Sequence, residues 1–202
     1  MTVSEKISKR VKKMGLGSVF SRADFLDLGT TDNVGMILGR MQNAGKIRRV
    51  GRGLYELPRI HPMLGKLSPQ PETIVEAALR RSGSRHQPSG AQAANLLQLT
   101  EQVPARTVYQ TDGASKTIKG GQRTIELQHR SPRRMAAAGR MSGIVFAALR
   151  EIGPRNVTPE RVAGLRKLLT RRDRRRLIKD LRLAPAWMHP HLRRIAAEDE
   201  SL

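Results

Sequence analysis

TDNVGMILGRMQNAGKIRRVGRGLYEL, residues 31–57, is the stretch on which the fold turns. Val34, Ile37, Leu38 and Met41 recur at i, i+3, i+4 and i+7, the spacing that stacks apolar side chains along one face of a helix. Thr30 or Thr31 suits the N-cap, where a hydroxyl accepts an otherwise unpaired backbone N–H, and Ala44-Gly45 marks the end. KIRRV and LYEL follow at once, two short β-prone runs around Gly51-Arg52-Gly53. They read as a hairpin whose Ile47, Val50, Leu54 and Leu57 pack on the helices.

Toward the N-terminus, SEKISKRVKKM (residues 4–14) sets Ile7, Val11 and Met14 at helical spacing, with Gly15 and Gly17 behind them. Ser21, three residues before Asp24, signals a second N-cap, and Ala23, Phe25, Leu26 and Leu28 supply contacts for a short helix closed by Gly29. Three helices and then a hairpin make the pattern of a winged helix-turn-helix, in which the third helix enters the DNA major groove and the hairpin touches backbone or minor groove.

Pro58, Pro62, Pro69 and Pro71 interrupt every periodic pattern after the hairpin, so residues 59–71 read as a connector. A second domain follows. ETIVEAALRRSG and SGAQAANLLQL are helical, the latter capped by Ser89, while RTVYQTDG and QRTIELQHR are strand-like around a Gly-rich SKTIKGG stretch. Beyond Pro132 the chain reads as helices over about 140–151, 159–169 and 170–183, with a short one around Trp187. The expectation is an α+β, mainly helical protein: a winged helix-turn-helix over 1–58, the connector over 59–71, an α/β domain with a small sheet and an Arg-rich helical end over 72–195, and an acidic tail over 196–202.

Charge narrows the partner. The 38 Lys and Arg exceed the 17 Asp and Glu by 21, a self-repulsion that a polyanion relieves. The excess is concentrated at the two ends of the chain: residues 1–66 hold 13 basic side chains against five acids, and residues 132–194 hold 17 against four. Glu198, Asp199 and Glu200 then close the chain with the opposite sign. Six aromatics are too few for a base-stacking platform, which favours duplex DNA over single strands. No apolar run or signal core suggests a membrane, and the expected location is cytoplasmic. The absence of cysteine excludes disulfides, thiolate metal sites and thiol nucleophiles.

The face of the third helix opposite its apolar stripe carries Asn33, Met36, Arg40 and Asn43, with Thr31 at the helix start as a further candidate DNA contact, and Asn and Arg make paired hydrogen bonds to adenine and guanine edges. Arg48, Arg49 and Arg52 crowd the hairpin as phosphate or minor-groove contacts. Arg171, Arg172, Arg174, Arg175 and Arg176 form a further candidate anion contact. Gly35 and Gly39 weaken the third helix, and allow close approach by a neighbouring helix or by DNA.

Nothing in the sequence converges on catalysis. His189 and His191 flank a proline without a third ligand, and read as structural. Asp112, Glu126 and His129 match no nucleophile or paired-carboxylate pattern, and nucleotide-binding glycine motifs are missing. The expectation is therefore a protein without enzymatic activity, cofactor or metal.

GKIRRVGRGLYELP (residues 45–58), GAQAANLLQLTEQVPA (residues 90–105) and the Thr111-Asp112-Gly113 strand end are the most specific parts of a similarity covering about residues 18–130. In these the chain resembles the AbiEi-type antitoxins of bacterial abortive-infection toxin-antitoxin pairs. The resemblance implies an N-terminal winged helix joined to an antitoxin domain, repression of the protein's own operon, and a nucleotidyltransferase-like toxin as partner. The Arg-rich segment after residue 132 departs from that core. Binding at inverted repeats by two or more copies is the expected mode, since one such domain reads few base pairs. The competing expectation is a basic RNA-associated structural or assembly protein, for which bulk charge suffices.

Overall fold

The computed structural model describes residues 1–121 and 123–197, the side chain of Arg81 aside; the acidic tail expected at its end, with Glu198, Asp199 and Glu200, lies outside the described residues. The chain is mixed α+β and mainly helical, with several small sheets. It divides into two units: residues 1–84 with 117–125, and residues 85–116 with 126–202.

In the first unit, helix α1 (Val3–Met14) begins at a capping box in which Thr2 and Glu5 satisfy each other's backbone N–H groups. Strand β1 (Val19–Ser21) follows, then a single 3-10 turn at Arg22–Phe25 where a short second helix ending at Gly29 was expected. The turn is short because one side chain does its packing: Phe25 is buried, while Leu26 is exposed and Leu28 lies at the core margin. Helix α2 (Thr31–Asn43) starts at Thr30, whose Oγ1 accepts the Asn33 N–H. All four residues of its apolar stripe are buried, at roughly 1.5–3 kcal/mol each.

Strands β2 (Arg48–Gly51) and β3 (Leu54–Glu56) form the hairpin, with Gly53 at φ +72° in the turn. β1 pairs antiparallel with β3, so the sheet runs β1-β3-β2, with Val19 opposite Glu56 and Phe20 opposite Tyr55. Beneath it Phe20 meets Phe25 edge-on at 5.6 Å between centroids, among Ile7, Val11, Leu38 and Ile47.

The expected connector carries a small hairpin of its own, β4 (Ile60–His61) with β5 (Gly65–Lys66). Helix α3 (Pro71–Leu79) falls within the first unit, whereas the prolines had suggested a new domain at residue 72. Residues 117–125 join the same unit, and there the Gly121 N–H donates to the Val50 carbonyl at 2.6 Å.

The second unit contains β6 (His86–Pro88) and β7 (Thr107–Thr111), paired antiparallel. The later part of β9 (Arg123–His129) also lies in this unit, whereas β8 (Lys116–Gly120) from residue 117 and the start of β9 are among the residues of the first unit. β8 replaces the loop expected at SKTIKGG, because its Ile118 is buried. Helix α4 (Gly90–Leu96) lies against α5 (Met141–Ile152) through small residues; a Cβ on Gly90 would run into the Glu151 side chain and the Ala147 carbonyl. Around α5 gather α6 (Pro159–Leu168), α7 (Arg171–Lys179) and α8 (His189–Ala196), burying Phe146, Leu149, Leu165, Leu177, Leu192 and Ile195 in one core. α8 is longer than the short helix expected near Trp187, which sits in a 3-10 turn at Ala186–Met188. Among the described residues no helix is long and apolar enough to cross a membrane.

Candidate nucleic-acid interface

Burying the α2 stripe turns the other side of that helix outward. Met36, Arg40 and Asn43 are exposed and Asn33 is half-buried on the side of α2 away from its buried stripe, while Thr31 is exposed at the first helical position, on the stripe side of the helix. Met36 is 57% exposed, an unusual position for a large apolar side chain unless something covers it. The two helix glycines behave differently. A Cβ on Gly35 would lie 3.0 Å from the Arg22 guanidinium carbon, whereas one on Gly39 would meet nothing within 4 Å. Gly35 thus accommodates Arg22, and Gly39 leaves open space beside Arg40.

Arg22 was missed in the sequence. It is exposed, at the first position of the 3-10 turn, and carries its charge to the edge of α2. The available signal was the Ser21/Asp24 capping pair, which places residue 22 where a turn leaves the core.

The hairpin arginines separate into two kinds. Arg48 Nε donates to Glu56 Oε2 at 2.6 Å, and its terminal nitrogen donates to the Leu67 carbonyl. Glu56 is fully buried, so Arg48 is the counter-ion of an interior carboxylate, with its Nε and one terminal nitrogen engaged inside the unit. Glu56 faces Arg48 across the β2–β3 pair. Arg49 is exposed, with Nε donating to the Gly51 carbonyl at 3.2 Å, and Arg52 is exposed in the turn.

Other acids of this unit are also engaged. Arg10 holds both oxygens of Asp27 at 2.6 and 2.7 Å, which keeps that carboxyl below its ordinary range and raises the arginine. Asp24 caps Ser21 and receives Arg80 at 2.5 Å. Among the described residues Arg22, Arg40, Arg49 and Arg52 form no salt bridge with these acids.

The second unit has a mostly basic concavity of about 860 Å³, lined by Arg171, Arg172, Asp173, Arg175, Arg176 and Lys179 of α7 with Arg140 and Met141 at the start of α5. Asp180, almost completely buried, accepts from Arg140 at 3.0 Å and from Arg176 at 3.1 Å, which holds two of its guanidinium groups in place. Arg140 was not among the predicted residues. Arg174 does not line the concavity; it donates to the Ala197 carbonyl at 3.3 Å.

Residues weighed for catalysis have structural partners. Burial raises the Asp112 carboxyl, but hydrogen bonds from Arg85 outweigh it and leave the group below its ordinary range. Glu126 faces Arg106 at 3.5 Å, and His129 Nδ1 contacts the Gly113 carbonyl at 3.0 Å. His189 Nε2 lies 3.2 Å from the Ala184 carbonyl, while His191 packs edge-on against Trp187.

A family model described as a family of unknown function, DUF6088, matches residues 6–177. Neither the curated proteins nor the solved structures contain a match to the chain.

Proposed function

We propose that this chain, which belongs to the DUF6088 family of unknown function, is a sequence-specific duplex-DNA-binding protein acting as a transcriptional autorepressor and antitoxin. One observation carries the DNA reading: α2 buries one complete face and presents Met36, Arg40 and Asn43 on the other, with open space at Gly39. A helix of that kind followed by a β-hairpin is the arrangement of a winged helix, whose exposed helix face enters the major groove. Arg40 and Asn43 then read base edges; Arg22, Arg49 and Arg52 bind phosphates on either side. The antitoxin role rests on the resemblance of residues 18–130 to AbiEi-type antitoxins, and would make a nucleotidyltransferase-like toxin the partner.

Binding as two copies on inverted repeats follows from how few base pairs one domain contacts. The Arg-lined concavity of the second unit is a further phosphate contact in this reading. It also favours the alternative, a structural RNA-associated protein, because a cluster of arginines binds any phosphate backbone. Competition separates the two. The full chain is used to select duplexes from a random-sequence pool, and the selected duplex is then competed with random duplex and with folded RNA at near-physiological salt. Preference for the selected duplex is the expected result; equal displacement by all three, or preference for RNA, refutes it.

A further inference from the structure

Both strands of the β4–β5 hairpin are exposed. Its strands are two residues long, and Ile60, Met63 and Leu64 are 69%, 89% and 73% exposed. A bare two-stranded ribbon is marginal in water, and apolar side chains grouped at its end have no stabilising role in the isolated molecule. Yet the turn is built with care. His61 Nδ1 accepts the backbone N–H of Met63 at 3.2 Å and that of Leu64 at 3.3 Å, so the imidazole occupies the inside of the turn and leaves both apolar side chains outside. At the base, the Leu67 N–H donates to the Arg59 carbonyl, and Arg48 reaches from β2 to the Leu67 carbonyl. The ribbon is thereby anchored to the strand that carries Arg49.

We propose that the Pro62-Met63-Leu64 turn is a minor-groove wedge: on duplex DNA the ribbon follows the groove, and the Met63 and Leu64 side chains enter between adjacent base pairs, unstacking one step and bending the helix. The inference rests on the DNA-binding reading above. Three features select DNA as the occupant. The fifteen residues between Glu56 and Glu72 contain no acid, and Arg59, His61 and Lys66 stand along them. Apolar side chains such as Met and Leu at the end of a narrow basic element are the type that enters a base step, where their burial and the added backbone contacts offset the lost stacking. A second copy of the chain is a poor alternative, because the net charge of +21 opposes bringing like surfaces together.

The test uses the full chain and a duplex recovered by it from a random-sequence pool. The duplex carries 2-aminopurine at successive steps in turn, or end dyes that report bending by energy transfer. The wild-type protein should brighten the probe at one step and shorten the end-to-end distance. The Met63→Ser/Leu64→Ser double variant should unfold at the wild-type temperature, bind the same duplex about tenfold more weakly, and produce neither signal. His61→Ala, which frees the turn, should reduce both signals while both wedge side chains remain. If the wild type binds but leaves the duplex stacked and straight, or if the double variant gives undiminished signals, the wedge is wrong and the DNA-binding reading stands. Failure to recover any preferred duplex overturns that reading and the wedge with it. A shift of the double variant from a larger to a smaller oligomer without DNA would mean that the turn covers a second copy, and would overturn the proposal.

Discussion

Replacing Arg48 by alanine should cost the first unit about 4 kcal/mol, although the residue sits among arginines that look alike in sequence. Its partner Glu56 has a side chain only 1% exposed, and Glu56 Oε1 already lacks a hydrogen-bond partner. Breaking a buried ion pair from one side costs about 3–5 kcal/mol, because the remaining charge has neither water nor a counter-ion. The Arg48 side chain is 27% exposed, which moves the figure toward the low end, and losing the bond to the Leu67 carbonyl adds about 1 kcal/mol. Urea unfolding followed by circular dichroism should show a lower midpoint, and thermal scans a fall of roughly 10 °C. Arg48→Met combined with Glu56→Leu should recover most of the loss, since an apolar pair of similar volume needs no compensation. The reasoning fails if Arg48→Ala unfolds at the wild-type midpoint while duplex affinity drops and its salt dependence flattens. That pattern would make Arg48 a phosphate contact after all.

Arg40→Ala should reduce discrimination between selected and random duplex by about 1–3 kcal/mol, whereas Arg52→Ala should weaken both almost equally and lower the salt slope by about one; titrations at several salt concentrations distinguish them. Gly39→Ala should stabilise α2 by roughly 0.5–1 kcal/mol, because a Cβ there meets nothing and glycine is a poor helix former, yet it should weaken DNA binding by occupying the space beside Arg40. Parallel affinity and unfolding measurements must give these opposite signs; a gain in both would remove Gly39 from the interface. Asp27 has a carboxyl held below its ordinary value by Arg10, so its contribution is present above the usual carboxylate range and is lost as pH falls through the depressed value. Asp27→Asn should therefore flatten the acid side of the stability-against-pH curve and leave its dependence above neutrality unchanged, which urea unfolding across pH will read.

What could be read from the chain without coordinates was whatever depends on neighbours one or two helical turns away. The Thr30 cap, the Val34-Ile37-Leu38-Met41 stripe and the glycine turn of β2–β3 are of this kind. So is the outward face of α2, because burying one side of a helix with period 3.6 leaves the other side exposed wherever the helix is placed. Charge excess and the absence of cysteine belong to the same class, as they need no geometry at all.

Tertiary structure decided everything that depends on pairing distant segments. β1 is too short to show a period, and exists because β3, more than thirty residues later, completes its hydrogen bonds. Arg48, Arg49 and Arg52 were equivalent until the fold buried Glu56 beside one of them. Arg22 reached α2 only because Gly35 has no side chain, and Arg140 joined the α7 arginines only because Asp180 holds it there. Local propensity operates through bonded geometry and is written along the chain. Which charge is neutralised and which is left for a partner depends on contacts between segments, which exist only after the chain has closed on itself.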